Sequence, residues 1–178
     1  MSAFTKELTR RQTDPAGRRW LFVPYDQLSD QIGPLSREDP AECGIVLVES
    51  LWKARRRPYH RQKLAWVLAN MRQFALEQAG RGVAVRYVRT EGPYREALES
   101  LIGDAGPLRV MCPAERELRL DLEPLVTARA LDVLAHEGWL TTTEQFEESQ
   151  GDGPPWKMDA FYRHVRRQSG LLMEGGKP

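Results

Sequence analysis

Cysteine is almost missing from this chain, with two residues in 178, Cys43 and Cys112, and neither stands at metal-ligand spacing. That count excludes a disulfide framework. Both thiols read as ordinary buried or half-buried side chains. Long apolar runs are missing too. No stretch approaches the ~20 residues of a membrane span, and the N-terminus has no signal-peptide apolar region, so the expectation is a cytoplasmic domain without a membrane partner. Charge of one sign is also lacking. A formal net charge of +1, with 29% charged residues, excludes a polycation that coats nucleic acid. Neither GxGxxG nor GxxxxGK[ST] occurs, which removes the nicotinamide and P-loop readings. No internal repeat or low-complexity tract is present.

What remains is an ordinary globular composition, 41% hydrophobic, long enough to bury a real core. Four short, mainly apolar runs read as buried parallel strands: Trp20-Leu21-Phe22-Val23, Ile45-Val46-Leu47-Val48, Val83-Ala84-Val85-Arg86-Tyr87-Val88 and Leu108-Arg109-Val110-Met111, the first two apolar without a break. Leu131-Asp132-Val133-Leu134 is a weaker fifth. Helix-length segments lie between them. From His60 to Gln78, Leu64, Val67, Leu68, Met71, Phe74 and Ala75 make one apolar stripe, ended by Gly80-Arg81-Gly82. Residues 93–101 and 115–128 supply two more helices, the first with Pro93 near its opening turn and the second with acidic residues at its start. Strands alternating with helices imply right-handed crossovers and a mostly parallel five-stranded sheet covered on both faces, a Rossmann-like three-layer α/β/α fold.

The expected organisation is a polar tail or short helical turn over residues 1–18, the α/β domain over 19–145, and a linker and C-terminal helix over 146–178. The Gly151-Asp152-Gly153-Pro154-Pro155 cluster marks the linker. Met158, Phe161, Tyr162 and Val165 then recur at helical spacing, with Gly170 as the stop. Leu171, Leu172 and Met173 extend that apolar surface, and its expected fates are disorder, folding back, or self-association.

In an open parallel sheet, ligands bind beyond the carboxyl ends of the strands, where the strand order reverses. That rule selects Pro24-Tyr25-Asp26-Gln27, Glu49-Ser50-Leu51-Trp52-Lys53 and Pro113-Ala114-Glu115. Asp26 and Gln27 offer a carboxylate and a carboxamide, which suit a polar heterocycle or a ribityl chain better than a bare triphosphate. Asp26 equally suits a cap on the turn through Leu28. The run from Arg55 to Arg61 offers cations to DNA phosphate, a ligand phosphate or a partner domain, and equally forms a solvated face. His60 reads as a helix cap or surface residue, and His136 and His164 as structural or exposed. Trp66 falls on the His60–Gln78 helix, where a tryptophan is more often core.

These motifs also occur in a known order. Tyr25-Asp26-Gln27-Leu28, a strand ending in Glu49, Tyr59-His60-Arg61-Gln62-Lys63-Leu64, Asn70-Met71-Arg72-Gln73-Phe74-Ala75, Val85-Arg86-Tyr87, and Tyr162 to Met173 follow one another over residues 20–178. In that order and spacing the chain resembles the N-terminal α/β, antenna-type domain of bacterial photolyase-related proteins, the iron–sulfur branch of the cryptochrome/photolyase family. The resemblance implies a blue-light flavoprotein acting in DNA repair or light sensing. It also implies that the catalytic helical domain, with FAD and a four-iron cluster, lies beyond this chain. FAD and the cluster are accordingly not expected here, and DNA would be met only through the full-length protein. The implied cofactor is dimethyl-ribityllumazine or another flavin-like antenna chromophore. Its implied site comprises Tyr25, Asp26, Gln27, Glu49, Leu51, Lys53, Arg56, Lys63 and Val67, with no catalytic and no metal-binding residue. Four positions depart from the family pattern. Tyr25 replaces a glycine, Lys53 an acidic residue, Arg56 a tyrosine, and Val67 a bulkier aliphatic. Two further readings stay open: a self-contained small α/β nucleotide-binding enzyme using Asp26, Glu49 and the basic run on a phosphorylated substrate, and a pure interaction domain.

Overall fold

The computed structural model describes residues 1–56, 58–151 and 153–175. Arg57 of the basic run, Asp152 of the linker and residues 176–178 lie outside the described residues. The chain divides into two compact units, Met1–His136 and Glu137–Pro178.

The first unit is a five-stranded, all-parallel sheet in the order β3-β2-β1-β4-β5. Its strands are β1 (Arg19–Phe22), β2 (Cys43–Ser50), β3 (Ala84–Thr90), β4 (Leu108–Met111) and β5 (Leu131–Leu134). The apolar runs form strands because the sheet is covered on both sides, and alternate residues serve opposite cores. Trp20, Phe22, Val46, Val48 and Val110 face one way, onto Ala97 and Leu98 of α4 (Tyr94–Ala105) and Leu118, Leu122 and Leu125 of α5 (Arg116–Thr127). Leu21, Val23, Ile45, Leu47 and Val85 face the other way, onto Phe74, Ala75 and Ala79 of α3 (Arg61–Gly80) and Leu8 of α1 (Ala3–Arg11). Each large apolar side chain so buried contributes about 1.5–3 kcal/mol. The arrangement is the three-layer α/β/α Rossmann-like fold.

Gly44 is required by its neighbour. It pairs with Trp20 across β1 and β2, and a Cβ on it would meet the indole at 2.6 Å. Arg86 of β3 stacks over the same indole at 4.6 Å, so the ring lies flat across the sheet.

The link from β1 to β2 holds two short 3-10 helices, Pro34–Ser36 and Pro40–Glu42, among the described residues. Its anchors are buried Leu35, the Asp30–Arg81 ion pair at 2.8 Å and the Glu38–Arg109 pair at 2.7 Å. Arg109 holds the Glu38 carboxyl below the usual carboxylate range.

Two expectations are corrected and one is sharpened. Of the tail and the short helical turn expected over residues 1–18, the structure has a helix: Ser2 caps the nine-residue α1 and Leu8 is buried. Arg11 and Gln12 also donate to the carbonyls of Leu76 and Val85. Polar composition concealed this helix because one leucine and one half-buried phenylalanine, Phe4, suffice to dock it on α3. The division between units falls after His136 rather than at 145, because β5 ends the sheet. The third concerns Trp66, which is 72% exposed and not core. The apolar stripe of α3 is buried only in its C-terminal half. Leu64, Val67 and Leu68 remain half-buried, while Met71, Phe74 and Ala75 are sealed.

The second unit is a helical hairpin of α6 (Thr143–Ser149) and α7 (Met158–Ser169). Thr142 and Gln145 form a reciprocal capping box, and Gly170 ends α7 in the left-handed region at φ 68°. Phe146 meets Phe161 edge-on at 5.4 Å and Trp156 at 6.0 Å. Tyr162, Leu171 and Leu172 are exposed. No helix of the described residues is long and apolar enough to cross a membrane.

Candidate functional site

The half-buried end of α3 faces a cleft at the carboxyl edge of the sheet. The cleft has a volume of about 110 Å³ and is open at its mouth. Tyr25 reaches it from the loop after β1, and Val48, Glu49 and Ser50 from the end of β2. Lys53 and Ala54 come from α2 (Leu51–Arg55), Lys63, Leu64, Val67, Leu68 and Met71 from α3, Tyr59 from the preceding loop, and Tyr94 from the start of α4. The reason for a cleft here is geometric: helices leave the strand ends in different directions, and β2 runs on past β1 to Ser50.

Glu49 is 3% exposed, a buried carboxylate that must be compensated. Arg72 supplies the compensation, its Nη2 lying 2.9 and 2.8 Å from the two carboxylate oxygens. Tyr87 donates its hydroxyl at 2.9 Å, and Arg89 stands 3.5 Å away. Burial and the hydrogen bond to Glu49 push the Tyr87 hydroxyl up, and the same carboxylate raises Arg72. The C-terminal end of β2 is thus a satisfied polar cluster beneath an apolar wall.

A second cluster closes the α4–α5 side. Lys53 is 13% exposed and pairs with Glu115, with Glu117 3.7 Å away. Tyr25 donates to the other oxygen of Glu115 at 3.3 Å. Burial raises the Tyr25 hydroxyl above its ordinary range, and Glu115 adds to the effect. Tyr25 is therefore held at the cleft by the residue beyond β4.

Five of the nine expected site residues line this cleft together: Tyr25, Glu49, Lys53, Lys63 and Val67. Asp26 is exposed and opens on an adjoining cleft with Leu28, Trp66, Asn70 and Phe74, sharing Tyr25 and Val67 with the first. Gln27 lines neither. It is 4% exposed, and its Nε2 donates to the carbonyls of Met111 and Cys112, at 3.2 and 3.3 Å. This carboxamide ties the loop after β1 to the end of β4, at the point where the strand order reverses. Leu51 opens α2 and is half-buried outside the cleft. Arg56 also lies outside, stacked over Trp52 at 4.6 Å and 3.8 Å from Glu117.

Sequence reading quoted Tyr59, Arg72 and Tyr87 only within longer motifs and counted neither them nor Tyr94 among the site residues. Tyr94 was the most accessible of these to inference, since it follows Pro93 at a helix start beyond the end of a strand. Among the described residues, no group of three or more His, Cys, Asp or Glu could hold a metal ion.

Comparison with known proteins adds the lineage. The family model for deoxyribodipyrimidine photo-lyase-related proteins matches residues 21–178. The (6-4) photolyase of Agrobacterium fabrum is 31% identical over 167 residues, covering 89% of this chain and 33% of that protein. The chain thus spans about a third of the length of this curated relative. A parallel sheet with its cleft at the strand ends and a match that runs almost end to end lead to one assignment: the chain belongs to the deoxyribodipyrimidine photo-lyase-related protein family.

Proposed function

We propose that the α/β unit is the antenna-type accessory domain of a longer, photolyase-like blue-light flavoprotein acting in DNA repair or light sensing. On this reading it is not catalytic alone, and its partner is the FAD-binding helical part of the longer protein. The cleft over β1 and β2 holds a conjugated heterocycle, dimethyl-ribityllumazine or a flavin-type ring. When bound, that chromophore absorbs light and passes the excitation on to flavin.

One observation carries this reading. The apolar wall of Leu64, Val67 and Leu68 is left partly uncovered beside buried polar groups, at the strand ends where open α/β sheets bind ligands. The residues fit a ring: aliphatic contacts come from α3, and Tyr25 and Tyr59 stand at the opening. The Glu49–Arg72–Tyr87 cluster fixes the floor without spending a free charge on it. Nothing comparable favours a phosphoester-cleaving enzyme. Asp26 and Glu49 are not brought together, and Glu49 is already paired with Arg72 and Tyr87.

The test is a fluorescence titration of the chain with dimethyl-ribityllumazine and riboflavin. Saturable binding that Val67→Trp abolishes is the expected result, because an indole at that position fills the cleft from α3. Binding that Val67→Trp leaves unchanged, or no binding of either ring, overturns the proposal.

A further inference from the structure

The cleft at the strand ends has the wall for a ring but not the room. Its volume of about 110 Å³ lies below the roughly 300 Å³ at which small-molecule sites begin. The adjoining cleft, between the loop after β1 and α3, has a volume of about 420 Å³. That one has the room but lacks the wall: Leu64 and Leu68 line only the first, while Asp26, Trp66, Asn70 and Gln73 line only the second. The two spaces share Tyr25 and Val67, and these side chains form the partition between them.

Of the pair, Tyr25 is free to turn. Val67 lies inside α3, where a β-branched side chain has essentially one rotamer. Tyr25 belongs to the loop after β1 and is half-buried. The backbone of that loop is fixed. Gln27 donates its side-chain amide to the carbonyls of Met111 and Cys112, and its backbone N–H to the carbonyl of Pro24 at 2.9 Å. Motion at Tyr25 is therefore rotation of a side chain on a rigid support.

A single latch holds the present position. The Tyr25 hydroxyl donates to Glu115 at 3.3 Å, long for a bond between two oxygens. Glu115 does not depend on this donor, because its other oxygen is paired with Lys53. Releasing the hydroxyl strands no buried charge, so opening avoids the penalty of an unpaired ion. Burial keeps the hydroxyl protonated, and the latch stays a donor through the neutral range.

Resting on the antenna-type reading above, we infer that Tyr25 is a gate that sets what the site admits. Latched to Glu115, it keeps the two clefts apart; swung away, it joins the aliphatic wall of the first to the space of the second. A fused ring enters only the open state, so its rate of entry and its affinity scale with the fraction of molecules that are open.

The experiment follows riboflavin binding to the full chain by stopped-flow and equilibrium fluorescence, for the parent, Tyr25→Phe and Tyr25→Ala. Tyr25→Phe keeps the ring and loses the latch. It is expected to raise the association rate about ten-fold, the scale of one hydrogen bond to a charged group. Tyr25→Ala removes the partition and should both associate faster and bind tighter than the parent. Tyr25→Phe at the parent's rate overturns the latch. Tyr25→Ala that binds no faster, or more weakly, makes Tyr25 a fixed wall of the site and overturns the gate, while ring binding by the parent stands. Binding of neither riboflavin nor dimethyl-ribityllumazine to any of the three removes the underlying reading, and this inference with it.

Discussion

Replacing Arg72 by methionine should expose how much the end of β2 depends on a single guanidinium. Glu49 is 3% exposed, and three of its five contacts come from Arg72, two from Nη2 and one from Nε. Methionine keeps an apolar stem beside Phe4 but leaves the carboxylate with the Tyr87 hydroxyl and the more distant Arg89. Removing one partner of a fully buried pair costs about 3–5 kcal/mol. The Arg72 side chain is 39% exposed and water partly replaces it, so the expected loss is lower; we set it at about 2 kcal/mol, the scale of a charged hydrogen bond left unmade. For a unit of this size that corresponds to a fall in Tm of roughly 6–10 °C. Urea denaturation followed by circular dichroism measures it directly. The cycle with Glu49→Gln is the sharper control: once the buried charge is gone, Arg72→Met should cost at least about 1 kcal/mol less than in the parent. If Arg72→Met unfolds within about 0.5 kcal/mol of the parent, or if the cycle shows no coupling, the ion pair does not stabilise the strand end and the reasoning fails.

Three further outcomes are expected. Gly44→Ala drives a methyl group into the Trp20 indole at 2.6 Å, and should cost about 1–3 kcal/mol in the same urea assay; a neutral result would mean that the ring shifts freely. Burial and the contact with Glu38 push the Cys43 thiol up to about 11. Almost no thiolate exists at pH 8, so Cys43 should react with a disulfide reagent far more slowly than half-buried Cys112, and only gain speed as the pH rises towards 11; mass spectrometry of the modified peptides decides it. A chain ended after His136 should keep the cooperative unfolding of the α/β unit, since both cores are built entirely from residues before that point; loss of the transition would show that α6 and α7 belong to the same cooperative unit.

The sequence alone determined the strands, the parallel sheet and most of the helices, because each rests on a local pattern with one physical meaning. A continuous run such as Ile45-Val46-Leu47-Val48 has to be covered on both faces, and Gly170 accepts a positive φ at low cost. The switch-point rule selected Tyr25, Glu49, Ser50 and Lys53, which line one cleft at the strand ends, while Lys63 and Val67 were reached only through the family resemblance. Tertiary structure decided what periodicity cannot carry. Leu64 and Phe74 share the apolar stripe of α3, but one is half-buried and the other sealed, because only the C-terminal half of the stripe packs into the core. Gln27 and Arg56 look equally available in the sequence, yet Gln27 is consumed by the carbonyls at the end of β4 and Arg56 by Trp52 and Glu117. Tyr94 becomes a candidate ligand contact only because α4 begins beside the end of β2, from which it is separated by more than forty positions along the chain. Local patterns record what each segment must bury, while the partners that satisfy buried charges and hydroxyls are chosen by folding, from residues far apart in sequence.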